Sequence, residues 1–180
     1  MNENNVKIVN IQKSSKAAYT ISNIAKIFAI AMAVLTFLVG AILIGMRGKL
    51  NEEFYREIES GKILPEEFFT GLDSKFAADL MLDGYFAEAA GAYVIVVCAI
   101  MICLAIVMHF IGKVFREIKD SYSPFRPEIV KSLKIAFVLI TILSLRSSLL
   151  IGAVIGFSLW CVVHIFEYGC ELQKQSDETL

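Results

Sequence analysis

AAGAYVIVVCAIMICLAIVMHFIG, residues 89–112, holds no Lys, Arg, Asp or Glu. A helix of roughly 20 apolar residues spans the hydrocarbon core of a bilayer. Two runs of the same kind accompany it, Ile27–Met46 and Ser147–Phe166, and Ile129–Leu145 is a weaker fourth. Backbone groups inside lipid find no water, so such runs must close their own hydrogen bonds as helices. The pattern predicts an all-α fold, an integral membrane bundle of four transmembrane helices. It forms a single membrane domain, 1–180, with helices over about 20–46, 86–112, 127–146 and 148–170. Residues 47–85 make a partly helical extracytoplasmic loop, 113–126 a cytoplasmic loop and 171–180 a cytoplasmic tail.

Composition agrees. Hydrophobic residues make up 57% and charged residues 19%, and mean hydropathy is +0.65. Soluble domains average about 45–50% apolar and about 25% charged. A net charge of −1 gives no electrostatic case for direct nucleic-acid binding. Cys98, Cys103 and Cys161 lie inside apolar runs and Cys170 just past one. None falls in the hydrophilic loop, where an oxidising compartment favours disulfides, so all four read as small apolar packing residues. The first apolar run starts late and is too long for the h-region of a signal peptide, so it is expected to stay in the mature protein.

Charge orients the bundle through the positive-inside rule. The N-terminal tail carries Lys7, Lys13 and Lys16 against Glu3 alone. Lys113–Lys134 adds Lys113, Arg116, Lys119, Arg126, Lys131 and Lys134. Arg47–Tyr85 is acidic, with Glu52, Glu53, Glu57, Glu59, Glu66, Glu67, Asp73, Asp79 and Asp83 against five bases. Both termini and the middle loop are therefore expected in the cytoplasm of a multi-pass protein. The third helix reaches bilayer length only when extended back to Pro127, which suits a first helical turn and places Lys131 and Lys134 to snorkel near the cytoplasmic face. The short link at Arg146 makes the third and fourth helices antiparallel neighbours. In the outer loop, Leu50, Phe54 and Ile58 repeat at helical spacing, as do Phe76 and Leu80.

Small residues recur at four-residue intervals, Ala25, Ala29 and Ala33 in the first helix and Gly152 and Gly156 in the fourth. Such spacing lets helix backbones approach closely in lipid. It serves packing within the bundle or a homodimer seam. His109 and His164 lie near the cytoplasmic ends of the second and fourth helices and, with Glu167 or Cys170, offer donors for a metal or proton site. Two interfacial histidines are the simpler reading, and no metal or other cofactor is expected. No membrane-embedded Asp or Glu is present, which counts against a proton-coupled exporter. No zincin, nucleophile-elbow, phosphate-loop or dinucleotide motif occurs, so no enzyme activity is expected.

Two cytoplasmic stretches are distinctive. Asp120-Ser121-Tyr122-Ser123-Pro124-Phe125 runs into Arg126-Pro127-Glu128 and forms a stiff turn before a helix start. The second stretch, Phe166–Leu180, holds Tyr168-Gly169, Glu171-Leu172-Gln173 and Ser176-Asp177-Glu178-Thr179-Leu180. With four helices around them, these stretches resemble the bacterial membrane family known as domain of unknown function 2975 (DUF2975). Two departures stand out. Arg126 occupies a position where members often place a Thr or Ser cap, and Gln175 stands where members often carry Glu. The resemblance implies a location in the bacterial cytoplasmic membrane and, by gene neighbourhood, a soluble Cro-like helix-turn-helix regulator as partner. The partner surface is then Ser123, Pro124, Phe125, Glu171, Leu172, Asp177, Thr179 and Leu180. The function expected is that of a regulatory or sensing membrane protein. The alternative is a small transporter, or an immunity-type protein against a membrane-active peptide, acting through the acidic outer segment.

Overall fold

The computed structural model describes residues 3–62, 74–121 and 125–178. Ser123, Pro124, Thr179 and Leu180 lie outside the described residues, as do Glu66, Glu67 and Asp73 of the acidic segment. The described chain is all helix and turn: α1 (Glu3–Gly45), α2 (Arg47–Glu59), α3 (Ser74–Leu82), α4 (Phe86–Ser121), α5 (Pro127–Ser147) and α6 (Leu149–Glu178). Stretches within α1 (Val9–Gly45), α4 (Phe86–Asp120) and α6 (Leu149–Glu178) are long and apolar enough to cross a membrane. Helix α5 is not among them. Glu128, Lys131, Lys134 and Arg146 crowd its two ends and leave a short apolar middle.

The long helices outrun the apolar runs that announce them. Residues 113–121, expected as loop, continue α4, and 171–178 continue α6. The reason lies in what is missing. No Gly or Pro interrupts residues 1–39, 113–123 or 170–180, and Lys, Arg and Glu are good helix formers. Val114 is buried seven residues after the buried Val107, so α4 keeps one apolar face beyond the uncharged run.

The chain forms two compact units, Ala29–Ile102 and a second made of Met1–Phe28 with Cys103–Leu180. In the first, Met81, Phe86 and Ala89 form a buried cluster against Leu50, Phe54 and Ile58. The Phe54 and Phe86 rings stack with centroids 3.6 Å apart. Asn51 ties α2 to the start of α4. Its Oδ1 accepts from the Ala87 N–H at 2.7 Å and its Nδ2 donates to Glu88 at 2.7 Å. An otherwise unpaired helix N-terminal donor is thereby capped from another helix. Helices α2 and α3 both end in Schellman turns on left-handed glycines, Gly61 (φ +73°) and Gly84 (φ +85°). Lys62 N–H bonds to Glu57 O at 3.1 Å and Tyr85 N–H to Leu80 O at 3.0 Å.

In the same unit α1 meets α4 through small residues. A Cβ on Gly91 would lie 2.6 Å from Ile44 and 3.4 Å from the Gly40 carbonyl, and a Cβ on Gly40 would lie 3.2 Å from Ile95. The Cys98 thiol donates to the Ala33 carbonyl at 3.2 Å. Ala29 and Ala33 are each 6% exposed.

In the second unit α5 and α6 form an antiparallel hairpin. Only Ser148 leaves the helical region, at φ −165° and ψ 134°. Its carbonyl accepts from the Gly152 N–H at 2.9 Å and so opens α6. Hydroxyls on the apolar helices turn back on their own backbone: Thr36 to Met32 O, Thr141 to Phe137 O, Ser144 to Ile140 O and Ser158 to Val154 O. That pairing satisfies each polar group without water.

Candidate functional site

The site grows from the start of α5. Pro127 opens the helix at its first position, and the preceding Arg126 is extended, at φ −128° and ψ 143°. Arg126 caps nothing with its side chain; its guanidinium instead reaches Glu117 on α4 at 3.6 Å. The extended backbone turns Phe125 toward α6. There its ring lies 5.7 Å from Phe166 and sits directly over Gly169, where any Cβ would collide with it. Glycine in a helix interior costs about 1 kcal/mol relative to Ala. At 169 that cost makes room for an aromatic ring.

Two residues back along α6, Glu167 gathers two cationic or donor groups. Lys134 Nζ of α5 lies 2.5 Å from one carboxylate oxygen and His164 Nδ1 lies 3.0 Å from the other. His164 also packs edge-on against Trp160 at 5.1 Å. Below this cluster, toward the α5–α6 turn, a groove of about 510 Å³ opens between the two helices. Phe137, Val138, Ile142, Trp160 and Val163 line it, and Lys134, His164 and Glu167 sit at its mouth. Gly156 lines it, and Gly152 and Gly156 let the two helices approach closely. A Cβ at 152 would lie 2.7 Å from Leu145, and one at 156 would lie 2.8 Å from Thr141.

Of the residues singled out by sequence, Phe125 is brought onto α6, and Gly152 and Gly156 face α5. Glu171, Leu172 and Asp177 are exposed along the end of α6, and Ala25 is half-buried on α1. His109 packs against its neighbour Phe110 at 5.6 Å. Among the described residues, no group of three or more His, Cys, Asp or Glu side chains is placed to hold a metal ion. The set of His109, His164, Glu167 and Cys170 is therefore not assembled as a metal centre. All four cysteines are free thiols.

Sequence reasoning missed Lys134 with Glu167, Gly169, and the facing Gly40 and Gly91. A signal existed for Gly91. Gly91, Cys98, Ala105 and Gly112 recur every seven residues on α4, and all are buried, the spacing that keeps one helix face on a partner. Lys134 and Glu167 lie at the charged ends of two separate runs, and nothing local pairs them. Compared with protein-family models, curated proteins and solved structures, the chain matches none of them.

Proposed function

We propose that this chain is a regulatory or sensing protein of a bacterial cytoplasmic membrane, of the DUF2975 type. It crosses the bilayer four times and holds a soluble helix-turn-helix regulator on its cytoplasmic face. One observation carries the reading: Phe125 rests on Gly169. The two segments that bear the family resemblance are distant in sequence, yet this contact joins them into one surface. Beyond it the end of α6 exposes Glu171, Leu172 and Asp177, a face with both charge and an apolar anchor. The fourth crossing is supported by the single-residue link at Ser148. If α6 traverses lipid, α5 returns beside it, and its 21 residues reach about 31 Å at 1.5 Å each.

The test is co-purification of the regulator with the full chain, with a variant ending at Cys170, and with Gly169→Leu, all membrane-inserted. The proposal expects recovery to fall at least tenfold in the truncated form and severalfold in Gly169→Leu. Equal recovery with all three removes the cytoplasmic face from the function.

A further inference from the structure

The groove between α5 and α6 has the anatomy of an amphiphile site. Its walls are apolar side chains of two packed helices, and its one polar end carries Lys134, His164 and Glu167. From Gly156 to Glu167 along α6 is about 16 Å at 1.5 Å per residue, so polar head and apolar channel lie in line. A volume of about 510 Å³ falls within the roughly 300–1,000 Å³ range of small-ligand pockets. A helix of the same length, about 10–12 Å wide with its side chains, needs more than twice that volume. The groove encloses a chain, whereas a helix would only lie across its open side.

The mouth is electrically balanced. Lys134 brings one positive charge and Glu167 one negative, and His164 donates through Nδ1 to Glu167. Lys134 Nζ keeps further N–H donors, and a carboxylate has about four lone-pair sites, of which two are taken here. A headgroup with a phosphate and an ammonium matches both; a purely anionic headgroup meets the Glu167 charge. We infer that the α5–α6 groove holds one acyl chain of a zwitterionic phospholipid. Its phosphate lies on Lys134 and its ammonium on Glu167. The site rests on α6 lying in lipid and does not depend on the soluble partner proposed above.

The chain contains one tryptophan, Trp160, and it lines the groove. Its fluorescence therefore reports on the occupant. The full chain in detergent micelles is titrated with phosphatidylethanolamine brominated on one acyl chain, and separately with brominated phosphatidylglycerol. The ethanolamine lipid is expected to quench Trp160 with saturation near one lipid per chain, and the glycerol lipid to require at least fivefold more. Gly156→Leu forces α5 away from α6 at Thr141 and so reshapes the groove, and should shift the ethanolamine midpoint at least fivefold. Glu167→Gln, which removes no volume, should abolish the difference between the two lipids. Quenching that rises without saturation in every variant marks ordinary boundary lipid and overturns the assignment. So does glycerol lipid binding as tightly as ethanolamine lipid, or Trp160 emission that follows protein concentration and ignores lipid, which identifies a second copy in the groove. Extraction of the chain from membranes by alkaline carbonate would instead refute membrane insertion itself, and is run in parallel.

Discussion

Gly169 and Phe125 show how one absent side chain decides a contact. The ring occupies the volume a Cβ at 169 would take, so a larger residue there must push Phe125 off α6. Overpacking of this sort costs about 1–3 kcal/mol. The neighbouring Lys134–Glu167 pair has its side chains 54% and 35% exposed, and pairs that open to solvent contribute about 0–1 kcal/mol. Packing therefore outweighs the ion pair in holding the start of α5 on α6. Gly169→Leu should lower the thermal midpoint of the detergent-solubilised chain. Phe125→Ala should lower it less, and the double variant should lie above the sum of the two losses, because the clash is gone once the ring is. Strict additivity across that cycle would mean that the two residues do not meet.

Between elements, the turns are set by backbone geometry more than by burial. Gly84 ends α3 at φ +85°, and a Cβ there would lie 3.5 Å from the Tyr55 ring, an ordinary contact. Space is not the obstacle, then; the left-handed backbone is, at about 1–2 kcal/mol for a residue with a Cβ. Gly84→Ala should destabilise by that amount in chemical melts, and Gly84→Asn, which tolerates the left-handed region better, by less. Equal stability of all three would show that α3 does not end in this turn. These short helices were legible in advance: Leu50, Phe54 and Ile58 repeat every four residues, and α2 places all three against the Met81 cluster. The long apolar helices were legible for the same reason, since a run without charge has few other folds open to it. Pairings were not. Asn51 capping α4, or Gly40 facing Gly91, depends on which helix lies opposite, and periodicity within one helix carries no information about its neighbour. The one cue is the seven-residue recurrence of small residues, which says that α4 has a close partner without naming it.

Across the whole chain, the apolar surface is the quantity to explain. Phe28, Phe37, Leu149, Phe157 and Trp160 are each more than half exposed, and about thirty other large apolar side chains are exposed with them. Covering one such side chain is worth about 1.5–3 kcal/mol, and a folded domain is stable by only about 5–15 kcal/mol. A handful of these residues left in water would offset that entire margin, whereas lipid covers them without needing a partner. The basic residues then predict a direction. Lys13 and Lys16 lie toward the start of α1, Lys113, Arg116 and Lys119 toward the end of α4, and Lys131 and Lys134 near the start of α5, while α2 carries Glu52, Glu53, Glu57 and Glu59. An even number of crossings puts every basic end on one side and α2 on the other, which is the arrangement the positive-inside rule favours. Three crossings, with α5 held at the cytoplasmic interface, would leave the α5 lysines where they are but place Leu180 opposite the N-terminus. A reporter that is active only in the cytoplasm should therefore work when fused after Leu180 and fail when inserted at Gly61. Moving Lys113, Arg116 and Lys119 to glutamine should weaken that preference. A C-terminal fusion active only outside the cell would leave α5 as a surface helix and withdraw the fourth crossing.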